Sequence, residues 1–393
     1  MNKNIDTKDI RCEFLIIGSG AGGSVASKYL TDLGKDVLLV EEGNRYSINE
    51  FKNSISKSFL YAWRNGGITP VLSKSNYGFG EGKCLGGGTY INGGLIWRTP
   101  EIVLQKWNKI YQTNIFEDSN LKKYFDEIEN ILSIKKQFIN EYENNESLKL
   151  IEIGKKNNIK VVRVPDSINS SNDENKLTLG AAGDAKNSII QKYIYPSEKK
   201  GLKILTNCRA EKIFSDKNKV KKVMVKINDK KTYIYADNVI LACGATQTPM
   251  LLKKSFGNNF LKSELEVHLN LRIGVKFKEK MQDREGLMFT RQIQEYLESG
   301  VLIMPTSFNK NNFFSSLAKL DNNQINMIEK EIDKYSSFII QLSSLNKVQL
   351  NNFFGNTILN YNLHNEDINK LKNNKNHKLE EKYWDIIRFH SLY

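Results

Sequence analysis

The chain is 393 residues long, 40% hydrophobic and 26% charged, with a formal net charge of +14. That length supports two cores at roughly 100–200 residues per domain, and no stretch reaches the roughly 20 apolar residues of a spanning helix. The lysines are scattered among asparagines and isoleucines and are not interleaved with aromatics, so the charge reads as a solvated surface and no nucleic-acid partner is expected.

Residues 1–11 mix Lys3, Asp6, Lys8 and Asp9 with no apolar block or small-residue cleavage site, unlike a secretory leader, and the expected compartment is the cytoplasm. Next come a strand over 13–17, a glycine turn over 18–23, a helix over 24–33 and a strand over 36–41, which make one βαβ unit. Gly34 stops the helix, and the continuous apolar run 37–40 suits a parallel strand covered on both faces. A glycine-dense block over 78–94 interrupts regular structure, and Leu121, Phe125, Ile128, Ile131 and Leu132 mark an amphipathic helix over 119–134. After a polar loop over 169–175, strand-like runs at 203–206, 211–214, 220–227, 232–235 and 238–242 return the chain to the first domain.

From residue 268 the pattern changes. Leu269, Leu271, Ile273, Val275 and Phe277 alternate with His268, Asn270, Arg272, Gly274 and Lys276, which predicts a strand with one buried face. Similar segments at 287–293, 301–304 and 358–363 extend the prediction to an antiparallel sheet. The lysine-rich tract 370–378 reads as an exposed helix or loop. The expected fold class is α/β: a Rossmann-type nucleotide-binding domain (1–118 and 201–258), a helical connection (119–200) and a second, antiparallel-sheet (α+β) substrate domain (259–393). Cys12, Cys84, Cys208 and Cys243 form no C-x-x-C pair, so neither a disulfide framework nor a metal site is expected.

The strongest local signal is Gly18-Ser19-Gly20-Ala21-Gly22-Gly23, which follows a strand, opens a helix and is answered by Glu41 at the end of the next strand. Gly18 permits the tight turn, Gly20 the approach of a pyrophosphate to the helix N-terminus, and Gly23 close helix–strand packing, while Glu41 suits a ribose diol. An acid at 41 disfavours a 2'-phosphate and leaves FAD or NAD open. In a second block, Gly86, Gly87 and Gly88 are expected to present unobstructed N–H groups to an anionic cofactor.

The opening 14–43, the block Gly82-Lys83-Cys84-Leu85-Gly86-Gly87-Gly88-Thr89-Tyr90-Ile91-Asn92-Gly93-Gly94 and the run Gly244-Ala245-Thr246-Gln247-Thr248-Pro249 together resemble the glucose-methanol-choline (GMC) oxidoreductases. The resemblance selects FAD over NAD. It implies that the first motif holds the ADP part, that the second runs along flavin and pyrophosphate with Asn92 near the ring, and that Ala210 offers its main chain to the adenine. The cofactor-binding set so implied is Gly18, Gly20, Ala21, Gly22, Gly23, Glu41, Gly86, Gly87, Asn92, Gly93, Ala210, Gly244 and Ala245. Pro249 is expected to start a helix at Thr248-Pro249, and the run 177–188 departs from the family pattern.

Family chemistry is hydride transfer from an alcohol to flavin N5 while a histidine removes the hydroxyl proton. That histidine sits in a C-terminal H-x-x-G-T-x-R-M-G-like segment, and nothing after Gly244 matches it. His268, His364, His377 and His390 have no persuasive context, so no catalytic residue is assigned. The expectation is an FAD-dependent alcohol dehydrogenase or oxidase, with a small-molecule alcohol, an electron acceptor and a separate chain supplying the absent segment as partners. The alternative is a truncated or non-catalytic flavin-binding relative.

Overall fold

The computed structural model describes residues 10–47, 49–51, 54–67, 69–73, 77–134, 143–168, 186–217, 219–257, 264–281, 290–306, 322–353, 356–362 and 364–366. In chain order the strands are β1 (Ile10–Ile17), β2 (Val37–Val40), β3 (Thr69–Leu72), β4 (Tyr77–Phe79), β5 (Val161–Arg163), β6 (Lys203–Leu205), β7 (Cys208–Asp216) and β8 (Lys219–Ile227). They continue with β9 (Lys230–Leu241), β10 (Glu264–Leu265), β11 (His268–Lys276), β12 (Arg291–Ile293), β13 (Val301–Thr306), β14 (Tyr335–Ser343), β15 (Val348–Phe353) and β16 (Asn356–Asn360). The helices are α1 (Ala21–Asp32), α2 (Ile55–Ala62), α3 (Gly88–Ile91), α4 (Glu101–Tyr111), α5 (Asp118–Ile131), α6 (Asn145–Asn157), α7 (Tyr195–Lys199), α8 (Gly244–Phe256) and α9 (Asn322–Lys330). None of these is long and apolar enough to cross a membrane.

The chain divides into two compact units, one of Met1–Gly94, Lys176–Leu265 and Lys347–Tyr361, the other of Leu95–Asn175, Glu266–Asn346 and Asn362–Tyr393. These crossings replace the boundaries expected at 118, 200 and 258. The reason lies in pairing: β5, in the expected helical connection, joins β12, while the segment from Ile190 to Lys199 packs on α1.

The main sheet of the first unit has the order β6-β2-β1-β9-β8-β7. β1 pairs in parallel with both β2 and β9, and β2 with β6, whereas β7, β8 and β9 form an antiparallel meander. Val37, Leu38, Leu39 and Val40 are all buried, as the uninterrupted apolar run requires. The face of α1 turned inward is made of Gly23, Ser24, Ser27 and Thr31. Small residues let the helix sit close, and Ser24 and Ser27 satisfy their hydroxyls on the carbonyls of Ser19 and Gly23, at 2.6 and 2.7 Å. The core beneath gathers Leu15, Ile17, Leu38, Val40, Val223, Val225 and Ile234.

The runs at 232–235 and 238–242 are one strand, β9, not two. Its first part pairs with β8 and its last part with β1, with Ala236 opposite Cys12, so nothing breaks the ladder between them. The segment expected at 358–363 is also relocated. Its residues 358–360 belong to β16, which pairs in parallel with β3 in a sheet of order β10-β15-β16-β3-β4 within the first unit. Alternation fixes which face of a strand is apolar but not which strand it meets.

The second unit carries the expected antiparallel sheet, in the order β11-β14-β13-β12-β5. β11 pairs with β14 from His268–Ser343 to Lys276–Tyr335. Val275, Ile293 and Phe338 pack with Leu150 of α6 to form its core, and the alternate residues of β11 are exposed. The predicted features at 169–175, 177–185, 287–289 and 370–378, with His377 and His390, lie outside the described residues.

Candidate functional site

Register places the carboxyl ends of three strands side by side, because Ile17 is opposite both Val40 of β2 and Leu241 of β9. The chain leaves these ends through Gly18–Gly22, Glu41–Gly43 and Ala242–Gly244. A cavity of about 940 Å³ opens there, lined by Gly18, Ser19, Gly20, Ala21, Gly22, Glu41, Gly87, Gly88, Asn92, Ala210, Gly244 and Ala245 among others. Its position outside the carboxyl ends of parallel strands is the usual ligand crevice of doubly wound folds, and its volume is at the upper end of small-molecule sites.

Two helices start at this cavity. α1 has Gly20 as N-cap and α8 has Cys243, and neither start has a side-chain cap or an acidic residue in the first turn. Their leading N–H groups and positive dipole ends are therefore left for an anion. Close main-chain contacts hold the parts together. At Gly18, with φ +99°, a Cβ would stand 2.3 Å from the Ala242 carbonyl oxygen, so the first motif touches the turn that leads into the third. A Cβ on Gly20, Gly22 or Gly88 would meet nothing within 4 Å; these glycines face open space.

Several predicted residues have other tasks. Gly23 does not line the cavity: its Cα packs against Gly18 and Ala242, where a Cβ would be 1.8 Å from the Gly18 carbonyl oxygen. The N–H groups expected to be offered at Gly86 and Gly87 are used internally, by Ser19 Oγ at 2.9 Å and the Cys84 carbonyl at 2.8 Å. Neither Gly86 nor Gly93 is part of the lining. Ala210 lies at a register shift in β7, which exposes main chain at the cavity wall. The helix expected from Thr248-Pro249 begins earlier, at Gly244, and Pro249 sits inside it. Proline there removes the donor for the Ala245 carbonyl.

Glu41 is buried, accepting from Ser19 N–H at 3.1 Å and Ser19 Oγ at 2.6 Å on one carboxylate oxygen and from Gly43 N–H at 2.8 Å on the other. Burial pushes its carboxyl up, against the pull of these three donors. A carboxylate has about four acceptor positions, so one stays open. Cys208 and Cys243 also line the cavity, with thiols pushed up by burial to about 12 and about 11. Burial thus disfavours the thiolate, the nucleophilic form, at both positions.

Sequence reasoning missed a wall of side chains. Arg64 forks onto Glu42, at 3.1 and 2.8 Å, and gives Nε–H to Glu81 at 2.7 Å. Glu81 accepts in turn from the hydroxyl of Thr246, in the third motif. Burial alone pulls the Arg64 guanidinium down and the Glu42 carboxyl up. Their mutual pairing, with Arg209 and Lys83 also near Glu42, more than offsets this, so Arg64 rises and Glu42 falls. Trp63 lines the same wall, and its buried indole N–H has no partner among the described residues. The Glu41-Glu42 doublet was a sequence signal for part of this; nothing in the sequence marked Arg64.

Behind the second block lies Lys186, 3% exposed. Its Nζ donates to the carbonyls of Thr89, Tyr90 and Asn92 at 2.9, 3.0 and 2.9 Å and to Asn92 Oδ1 at 3.0 Å.

The profile described as GMC oxidoreductase matches residues 13–273. An uncharacterised GMC-type oxidoreductase of Sinorhizobium fredii is 25% identical over 73% of this chain and 58% of its own length. The long-chain-alcohol oxidase FAO4B of Arabidopsis thaliana is 26% identical over 71% of this chain and 39% of its own. The chain thus spans between two fifths and three fifths of these relatives. Among solved structures, pyridoxine 4-oxidase from Mesorbium loti superposes with a TM-score of 0.65 at 12% identity, covering 88% of this chain and 75% of that one. A formate oxidase of Aspergillus oryzae, from a study of FAD modification, reaches 0.67 at 12%, covering 96% and 83%; both show the fold. With the profile matched over most of its length, the chain belongs to the GMC oxidoreductase family.

Proposed function

We propose that the cavity binds FAD and that the chain is the FAD-binding part of an oxidoreductase acting on CH–OH groups. The observation that carries this is the convergence of two uncapped helix starts, α1 and α8, on a cavity bordered by glycines whose missing Cβ atoms face open space. The pyrophosphate fits the N–H groups from Gly20 to Gly22, the ribose the open acceptor position of Glu41, and the adenine the main chain of Ala210 and Gly244-Ala245. When bound, FAD supplies the acceptor for a hydride leaving a carbinol carbon. The residues described here bind and orient; the carboxylates at the wall are tied to Arg64 and to internal donors, and among the described residues no histidine lines the cavity. This last observation favours the second reading, flavin binding without catalysis by these residues alone.

Titration of free FAD with the purified chain, followed by flavin fluorescence, tests the binding. Saturable quenching with a 1:1 end point is expected. Absence of saturation, or equal retention of NAD, would end the FAD reading. Alcohol-dependent bleaching of the bound flavin then separates the oxidoreductase from the binding module.

A further inference from the structure

One buried lysine, packed against the second glycine block, has no part in the function proposed for the cavity. Lys186 carries no acid partner in its hydrogen bonds, and burial pulls its ammonium down to about 7. Four oxygens nevertheless surround the nitrogen within 3.0 Å. An ammonium serves three of them at once and shares the fourth, whereas a neutral amine has two donors. The carbonyls of Thr89 and Tyr90 come from the last turn of α3, where intrahelical donors run out.

The fourth oxygen fixes an orientation. Lysine can only donate, so the Asn92 side chain must turn its oxygen, not its nitrogen, toward Nζ. The Gly94 N–H, at 3.2 Å from the same Oδ1, imposes the same choice. Asn92 is exposed and lines the cavity, and its Nδ2 group has no partner among the described residues.

We propose that Lys186 is the positioning residue of the second glycine block: it clamps the end of α3 and turns the Asn92 carboxamide so that Nδ2 offers its hydrogens to an acceptor on the bound flavin. The flavin end of this proposal rests on the FAD reading, and the clamp does not. Deprotonation of the amine would create a lone pair able to accept from Nδ2, releasing the carboxamide to turn around. The ionisable group facing the ammonium is the Cys84 thiol, kept neutral by burial.

The test uses the full chain, free FAD as probe, and the variants Lys186→Met, Asn92→Ala and the double variant. Wild-type FAD affinity is expected to fall about tenfold, about 1.4 kcal/mol, as pH rises from 6 to 9. Asn92→Ala should bind about tenfold more weakly at pH 6 with a flat profile, and the double variant no more weakly than Asn92→Ala. In the ligand-free chain, hydrogen exchange of amides 88–94 should quicken at least tenfold in Lys186→Met and stay slow in Asn92→Ala. Wild-type affinity and slope in Asn92→Ala would overturn the proposal, as would additive losses in the double variant or unchanged exchange in Lys186→Met. Should Lys186→Met not fold, the slope of Asn92→Ala against wild type decides alone. Exchange at 88–94 that quickens in Lys186→Met while wild type binds no FAD would sink the cofactor reading and keep the clamp; FAD held equally by wild type and Lys186→Met, with unchanged exchange, would do the reverse.

Discussion

The cavity has two kinds of wall. Along α1, α3 and α8 it is main chain, held by glycines that touch backbone on one side and open space on the other. The rest of its border is made of side chains, in which Arg64 ties Glu42 to Glu81, and through it to Thr246 of α8. The first wall is rigid because atoms of backbone abut, and the second because charges compensate one another. Damage should therefore look different in each.

The largest effect is expected at Gly18. Valine there would need φ +99° and would drive its Cβ to 2.3 Å from a carbonyl oxygen that cannot retreat without moving β9. Backbone strain and overpacking together amount to about 3–5 kcal/mol. Denaturant titration of Gly18→Val should show a large loss of stability, and a midpoint near wild type would mean that the first motif does not touch the turn after β9 as described.

Arg64→Met is expected next, at about 2–3 kcal/mol, since it strands two partly buried carboxylates. Adding Glu42→Gln should recover part of the loss, which a purely steric account would not produce. Its pH dependence has a definite sign. Glu42 is held below its ordinary value in the folded chain, so its stabilisation is complete above the unfolded carboxylate range and disappears as pH falls through the folded value. The gap between wild type and Arg64→Met should narrow as the solution is acidified below about pH 4. A constant gap would assign the effect to packing of the arginine stem.

The two walls also differ in how far the amino-acid sequence displays them. Glycine has few uses, so the spacing of Gly18, Gly20 and Gly23 after an apolar strand already described a nucleotide turn, and the register of β1, β2 and β9 has placed it where such turns work. Within the second block the same reasoning overreached. It offered the amides of Gly86 and Gly87 to a cofactor, whereas Ser19 and Cys84 take them; a free N–H is a property of the folded surroundings, not of the residue type. Arg64, Glu81 and Lys186 were illegible for a related reason. Each gains its meaning from partners brought by folding, over separations that no local pattern reports. The strand expected at 358–363 meets β16 at 358–360 and was assigned to the wrong sheet, because period 2 carries no information about neighbours.

Smaller effects can separate holding the fold from holding the ligand. Gly20→Val should leave stability within about 1 kcal/mol of wild type, because its Cβ meets nothing within 4 Å, yet lower FAD affinity at least tenfold by occupying the space where a pyrophosphate must lie. The contrast with Gly18→Val, two residues away, is a matter of direction: one Cβ points into backbone and the other into the cavity. Equal destabilisation of both would mean that Gly20 faces packed structure.

The smallest change is the most discriminating in sign. Gly22 is the second residue of α1 and a Cβ there meets nothing. Gly22→Ala should stabilise the ligand-free chain by about 0.5 kcal/mol through reduced freedom of the unfolded state. The same methyl group stands in front of the N–H groups that begin the helix, so FAD affinity should fall. Thermal unfolding with and without saturating FAD reads both quantities from one sample, as a higher midpoint without ligand and a smaller ligand-induced rise. If midpoint and affinity rose together, the ligand would lie away from the start of α1, and the wall of side chains around Arg64 would become the better candidate for its place.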